Sequence, residues 1–213
     1  MYDSWNIINS FILLSTPKLM IIEKLKKYDI TLGSQSPRRK KLLEDMGLNF
    51  KIKICYEKEN YPKDLKAEDI AEYIAKKKAD FLLKEVSGNY LLITVDTIVL
   101  KNNKVLNKPK NKHDAIKILK DLSGITHYVI SGVCIKSINK EVVFSSITEV
   151  LFNNLSESEI NYYINKYKPY DKAGSYGIQE WIGSIGVKKI NGSFNNVVGL
   201  PTADLYQKLK LFI

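Results

Sequence analysis

The sequence predicts a mixed α/β fold: one central sheet with flanking helices. Three observations carry this expectation. Strand-like and helical runs alternate along the chain. One run, Asn89–Leu100, is almost continuously apolar, as in a strand buried in the middle of a sheet. No repeat, low-complexity tract or linker divides the 213 residues, a length that suits one α/β domain or two small lobes.

The elements follow in order. Tyr28–Leu32 reads as a first strand. It feeds "GSQSPRRKKLLEDMG", where Ser36 is a good N-cap, Pro37 suits the first helical position, and Leu42, Leu43 and Met46 give a helix over 37–46 an apolar face ended by Gly47. Phe50–Cys55 alternates and reads as a second strand. Tyr56–Lys66 is a polar loop, and a long helix is expected over Ala67–Val86. After the apolar strand, "KNNK" reads as a turn with a short strand behind it, and 112–122 as a helix ending at Ser123-Gly124. Two β-rich runs, 127–138 and 142–152, surround a turn at Asn139-Lys140. Ser156 and Glu159 form a capping box for the helix "ESEINYYINKY". Residues 168–186 and "INGSFNNVVGLP" read as glycine-punctuated loops, and the last helix carries Leu205, Leu209 and Phe212 on one face.

The formal net charge is +10, which suits polyanionic partners, although scattered lysines also describe an ordinary solvated surface. No run is long and apolar enough for a transmembrane helix. "WNIINSFILLS" lacks the basic flank and cleavage pattern of a signal peptide, so residues 1–19 are expected to be an extension ahead of a domain over 20–213. Cys55 and Cys134 fit no metal or redox spacing and read as buried free thiols of a reducing cytoplasm. His113 and His127 have no Cys or His at ligand spacing.

Several residues break their local rule. Arg38 and Arg39 lie in the first turn of a helix, whose exposed N–H groups already disfavour cations; the arrangement makes sense in front of an anion such as a phosphate chain. Asp96 interrupts the most apolar strand, and a buried carboxylate needs a partner, a metal or an open cleft, unless it caps a turn at the strand's end. Lys78 falls inside the apolar stripe of its helix, as a functional cation or as a lysine snorkelling from the stripe's edge. Glu59 and Lys108 look plain alone. "YDKAGSYGIQ" is a turn, or a backbone that lets a flat ligand approach closely, with Gln179 as donor and acceptor.

Together these pieces resemble the Maf family of nucleoside triphosphate pyrophosphatases: "LGSQSPRRKKLL", "VDTIV", "NKP", "LSGITHYVISGV", "DKAGSYGIQ" and "NVVGLP" follow in the family's order from about Ile30 to Pro201. The resemblance implies two α/β lobes around a cleft, similar to inosine-triphosphate pyrophosphatases, and a homodimer. It implies hydrolysis of a nucleoside triphosphate to monophosphate and pyrophosphate with a divalent cation, Mg²⁺ or Mn²⁺, and no need for nucleic acid. Asp96 matches the proton acceptor; Arg38, Thr97 and Gln179 match substrate-selecting positions; Ser34, Arg39, Lys78 and Lys108 match phosphate-binding positions. Glu59 matches an acid near the metal, with Asp96 also placed there. The "DKAGSYGIQ" form is similar to the branch acting on dTTP and UTP. Lys58, where the family often has an acid, and Gly33, where it often has Ala, are departures. The alternatives are the same reaction on another base, such as 7-methyl-GTP, or a nucleotide-binding regulator of cell division without catalysis.

Overall fold

The computed structural model describes residues 20–213; the expected extension, residues 1–19, lies outside them. Seven strands form one mixed sheet. They are β1 (Asp29–Gly33), β2 (Lys51–Ile52), β3 (Tyr90–Lys101), β4 (Lys104–Leu106), β5 (Thr126–Lys136), β6 (Glu141–Phe152) and β7 (Val187–Asn191). Their spatial order is β2-β1-β3-β5-β6-β7, with β4 paired to the far end of β3. The pairs β2/β1 and β1/β3 are parallel, and the remaining pairs are antiparallel. The α/β class with a mixed sheet and flanking helices is therefore the observed one.

Helices α1 (Ile21–Leu25), α2 (Pro37–Asp45), α3 (Ile70–Leu82), α4 (Lys112–Leu122), α5 (Glu157–Tyr167), α6 (Trp181–Gly186), α7 (Phe194–Val198) and α8 (Thr202–Phe212) flank the sheet. The local signals hold where a side chain caps a helix. Ser36 accepts the Arg39 N–H, and Ser156 and Glu159 close the expected capping box. Asn102 and Asn103 both take positive φ, the turn that a tight hairpin requires. The differences lie where neither period nor cap is strong. The second strand shrinks to Lys51–Ile52, both exposed at the sheet's edge, and Cys55 falls beyond it, half-buried rather than buried. Inside the segments expected to be loops, the chain forms α6 and α7, and β7 bridges the two segments. These are five- and six-residue elements, too short to show a hydrophobic period.

β3 is sandwiched, and its alternation sorts the core. Leu91, Ile93, Val95 and Val99 join the large cluster with α1, α2, α4, α5 and α8, while Leu92, Ile98 and Leu100 face α3. α3 lies directly on the sheet. Its stripe is small (Ala71, Ala75, Ala79), and a Cβ on Gly132 of β5 would stand 2.2 Å from the Ala71 backbone. Burying its larger members, such as Leu82, contributes about 1.5–3 kcal/mol each.

One irregularity positions the site. β1 pairs with β3 only as far as Gly33 opposite Thr94, and β4 begins pairing at Val99. Between them, residues 95–98 are paired on the β5 side alone among the described strands. The chain leaves β1 there, at the carboxyl end of a parallel pair, where open α/β sheets place their ligands.

Candidate active site

A cleft of about 490 Å³ opens at this break, and every expected site residue lines it: Ser34, Arg38, Arg39, Glu59, Lys78, Asp96, Thr97, Lys108 and Gln179. Strand geometry splits them into two groups, because Asp96 and Thr97, as neighbours on β3, point to opposite faces.

On the α3 face, Asp96 and Lys78 are both buried, and the Lys78 ammonium donates to Asp96 Oδ1 at 2.6 Å and to Glu59 Oε1 at 2.7 Å. Lys78 lies in the buried stripe of α3, two turns beyond Ala71, so the close packing over Gly132 delivers it to the carboxylate. Glu59 reaches in from the loop before α3. That loop is tethered by Lys77, which donates to the Lys58 carbonyl and pairs with Glu57. Lys108, exposed at the rim, meets the other Glu59 oxygen at 3.1 Å. Of the two departures, Lys58 thus serves through its backbone. Gly33 fits a tight spot, where a Cβ would stand 2.6 Å from both Leu82 and Thr94 side-chain carbons.

The two carboxylates differ. Burial pushes the Asp96 pKa above its ordinary value of 3.8; Lys78 and Arg39 oppose this, while the charge on Glu59 reinforces it. Glu59 is also opposed by desolvation, but Lys78 and then Lys108 outweigh it and pull its pKa down to about 2. One carboxylate is held ionised and its neighbour is tuned towards proton acceptance, the separation that acid–base chemistry uses.

On the other face, Arg39 donates from Nε to the Gly199 carbonyl at 2.9 Å, from Nη1 to Ser34 Oγ at 3.2 Å and from Nη2 to Thr97 Oγ1 at 2.9 Å. A guanidinium has five donors, so two stay available for an anion. Thr97 in turn meets Ser131 Oγ at 2.9 Å. The structure thus gives Arg39 a brace joining α2, β3 and the turn after α7, beyond the anion contact expected from the sequence. Arg38 reaches across the cleft and donates to Asp171 Oδ2 at 3.1 Å. Gln179 is exposed on the far wall.

The sequence profile of the Maf-like proteins matches residues 29–212. The chain belongs to the Maf-like protein family. This Maf-like protein is 47% identical over 194 residues to the dTTP/UTP pyrophosphatase of Flavobacterium johnsoniae, covering 91% of this chain and 100% of that protein. It is 51% identical over 191 residues to the protein of the same name from Phocaeicola vulgatus, covering 89% and 99%. A nucleoside-triphosphatase / dITP/XTP pyrophosphatase of Mycobacterium abscessus superposes with a TM-score of 0.37 at 16% identity, covering 60% of this chain and 75% of that one, too slight a likeness to carry weight.

Several residues in and behind the walls of the cleft of this Maf-like protein are silent in the sequence. Lys172, buried beside the cleft, pairs with Asp171 Oδ1 at 2.7 Å and Glu180 Oε1 at 3.1 Å. Tyr163 reaches Glu180 from α5. "YDKAG" shows its glycine in the sequence, yet nothing in the pattern says that its lysine folds inward, and Tyr163 reads as one more apolar position of an amphipathic helix. His127 is buried, and its Nε2 meets Tyr176 Oη at 2.8 Å behind the same loop.

Proposed function

We propose that this protein hydrolyses dTTP and UTP to the nucleoside monophosphate and pyrophosphate. The observation that carries the reading is the cluster of buried Asp96 and Lys78 with the more exposed Glu59, at one end of a cleft whose other wall is the Asp171–Glu180 loop. The relatives named dTTP/UTP pyrophosphatase, at 46–51% identity over most of the chain, support it.

In this reading a water between Asp96 and the α-phosphorus gives its proton to the Asp96 carboxylate. Its oxygen forms the new bond to phosphorus as the α–β phosphoanhydride bond breaks, and pyrophosphate leaves. Lys78, Lys108, the two spare donors of Arg39 and the Ser34 hydroxyl neutralise the phosphate chain and the leaving group. Thr97 acts through Arg39, whose guanidinium it holds. Arg38 and Gln179 face the nucleoside end.

Glu59 and Asp96 are two carboxylates brought side by side in the cleft, each bonded by Lys78 Nζ through one oxygen. That donor set fits a hard divalent cation such as Mg²⁺ or Mn²⁺, which binds through one or two carboxylates together with substrate phosphates and water. Glu59 and Asp96 would hold it, and when bound it supplies further neutralisation of the phosphate oxygens. Among the described residues no helix is long and apolar enough to cross a membrane. The reading includes a cytoplasmic homodimer, in line with the family resemblance and the free cysteines. Light scattering of the purified protein tests the dimer.

The deciding experiment is pyrophosphate release from dTTP, UTP, CTP, GTP and 7-methyl-GTP with Mn²⁺ present. dTTP and UTP should give the highest kcat/KM. An equal or higher value for CTP or 7-methyl-GTP refutes the choice of base, and no release from any of them refutes the enzyme.

A further inference from the structure

Gln179 cannot by itself separate uracil from cytosine. Its side chain is exposed, and its amide bonds to no protein group among the described residues. A free amide turns over, and so answers the O4 and N3–H edge of uracil as well as the N4–H₂ and N3 edge of cytosine. Discrimination then needs groups held in place, and the backbone groups of this wall can serve as such.

The backbone there adopts a conformation that it would not hold alone. Gly174 and Ser175 are consecutive residues with φ of 69° and 62°, and the second is not glycine. Such strain persists where the surroundings over-determine it, and it gathers at functional sites. The surroundings are a chain of bonds crossing the loop from α5 to α2. Tyr163 Oη accepts the Gly177 N–H at 3.0 Å and donates to Glu180 Oε2. Glu180 Oε1 meets Lys172 at 3.1 Å, Lys172 meets Asp171 Oδ1 at 2.7 Å, and Asp171 Oδ2 accepts from Arg38 at 3.1 Å. The charges alternate, so the buried Lys172 ammonium lies between two carboxylates. Gly177 leaves the room: a Cβ there would stand 2.7 Å from Glu180 Cδ and 3.0 Å from Lys172 Cε. Burial, with the Glu180 carboxylate beside it, pushes the Tyr163 pKa up, so the group stays a hydroxyl and keeps donating.

We propose that Tyr163 is a positioning residue for base selection: with the Lys172–Glu180 pair it locks the backbone of residues 177–179 against which the base is read. Tyr163 is fully buried and lies outside the cleft lining, so it acts only through the loop. The inference rests on the cleft being a dTTP/UTP site.

The test is Tyr163→Phe, which removes one hydroxyl and keeps the ring. kcat and KM for UTP and CTP are measured beside the melting temperature. The UTP-over-CTP ratio of kcat/KM should fall by about tenfold, the worth of one hydrogen bond. The loss should lie in KM, with kcat for UTP within about twofold of wild type, because Tyr163 touches neither Asp96 nor the phosphate-binding cations. A lower melting temperature with an unchanged ratio makes Tyr163 merely structural and overturns the proposal. Glu180→Gln is the second variant, read the same way should Tyr163→Phe not fold. It keeps a partner for the tyrosine but removes the charge facing Lys172, and it should lower the ratio too; an unchanged ratio there also overturns the proposal. A wild-type enzyme that hydrolyses UTP and CTP equally well refutes the base reading itself, and the lock with it. A wild-type preference that survives in both variants refutes the lock alone.

Discussion

Asp96→Asn removes a charge from the α3 face of the cleft and leaves its shape intact. Three partners decide the magnitude. The carboxylate accepts from Lys78 at 2.6 Å, and Lys78 keeps Glu59 at 2.7 Å, so the substitution does not leave the buried ammonium alone. Burial, then the neighbouring Glu59, raises the Asp96 pKa against the pull of Lys78 and Arg39. A raised native pKa means that the folded state favours protonated Asp96. That contribution to stability is complete below the unfolded value of 3.8 and is lost as pH rises through the native pKa. At neutral pH the ionised carboxylate therefore costs stability, and the asparagine protein should melt at or above the wild-type temperature. Turnover should fall steeply, because an amide cannot take the proton of the attacking water. Loss of a positioned general base costs about 10²–10⁴-fold, or roughly 3–5 kcal/mol of barrier. The assay is pyrophosphate release from dTTP with Mn²⁺, beside a thermal melt. In the wild type the acid limb of kcat/KM should lie above pH 3.8, activity falling as pH drops through the raised pKa. Turnover within tenfold of wild type in a folded Asp96→Asn protein refutes Asp96 as the base.

Lys78→Met should abolish turnover and cost about 3 kcal/mol of stability, since it leaves Asp96 and Glu59 facing each other without their shared cation; denaturant melts read this directly. Glu59, pulled down to about 2, contributes stability that is present above its unfolded value of 4.5 and is lost as pH falls through about 2; Glu59→Gln should flatten that part of the acid unfolding curve. Arg39→Ala removes three hydrogen bonds and should lower apo stability by about 2–4 kcal/mol while weakening nucleotide binding, measured by melts and calorimetry. A protein beginning at Met20 should keep the melting temperature and activity of the full chain; a fall of several degrees would mean that residues 1–19 pack on the domain.

The class of fold, the caps and most of the cleft's inventory were legible in the residues alone. Those features are local. Ser36, Ser156 and Glu159 satisfy N–H groups within their own turns, and Asp96 and Lys78 show as polar residues inside apolar periods. Which residues meet was set by long-range packing. A strand's period of two places Asp96 and Thr97 on opposite faces, but only the packing of α3 over Gly132 joins Asp96 to Lys78, and only the gap between β1 and β4 opens both faces to one cleft. Arg39 read as a free anion-binding cation because its partners, Gly199 and Thr97, lie 160 and 58 residues away. Tyr163 and Lys172 gave no signal at all. A buried hydroxyl and a buried ammonium are chemically ordinary until a loop from elsewhere in the chain brings a carboxylate within reach, and no period or cap in the sequence records such a meeting.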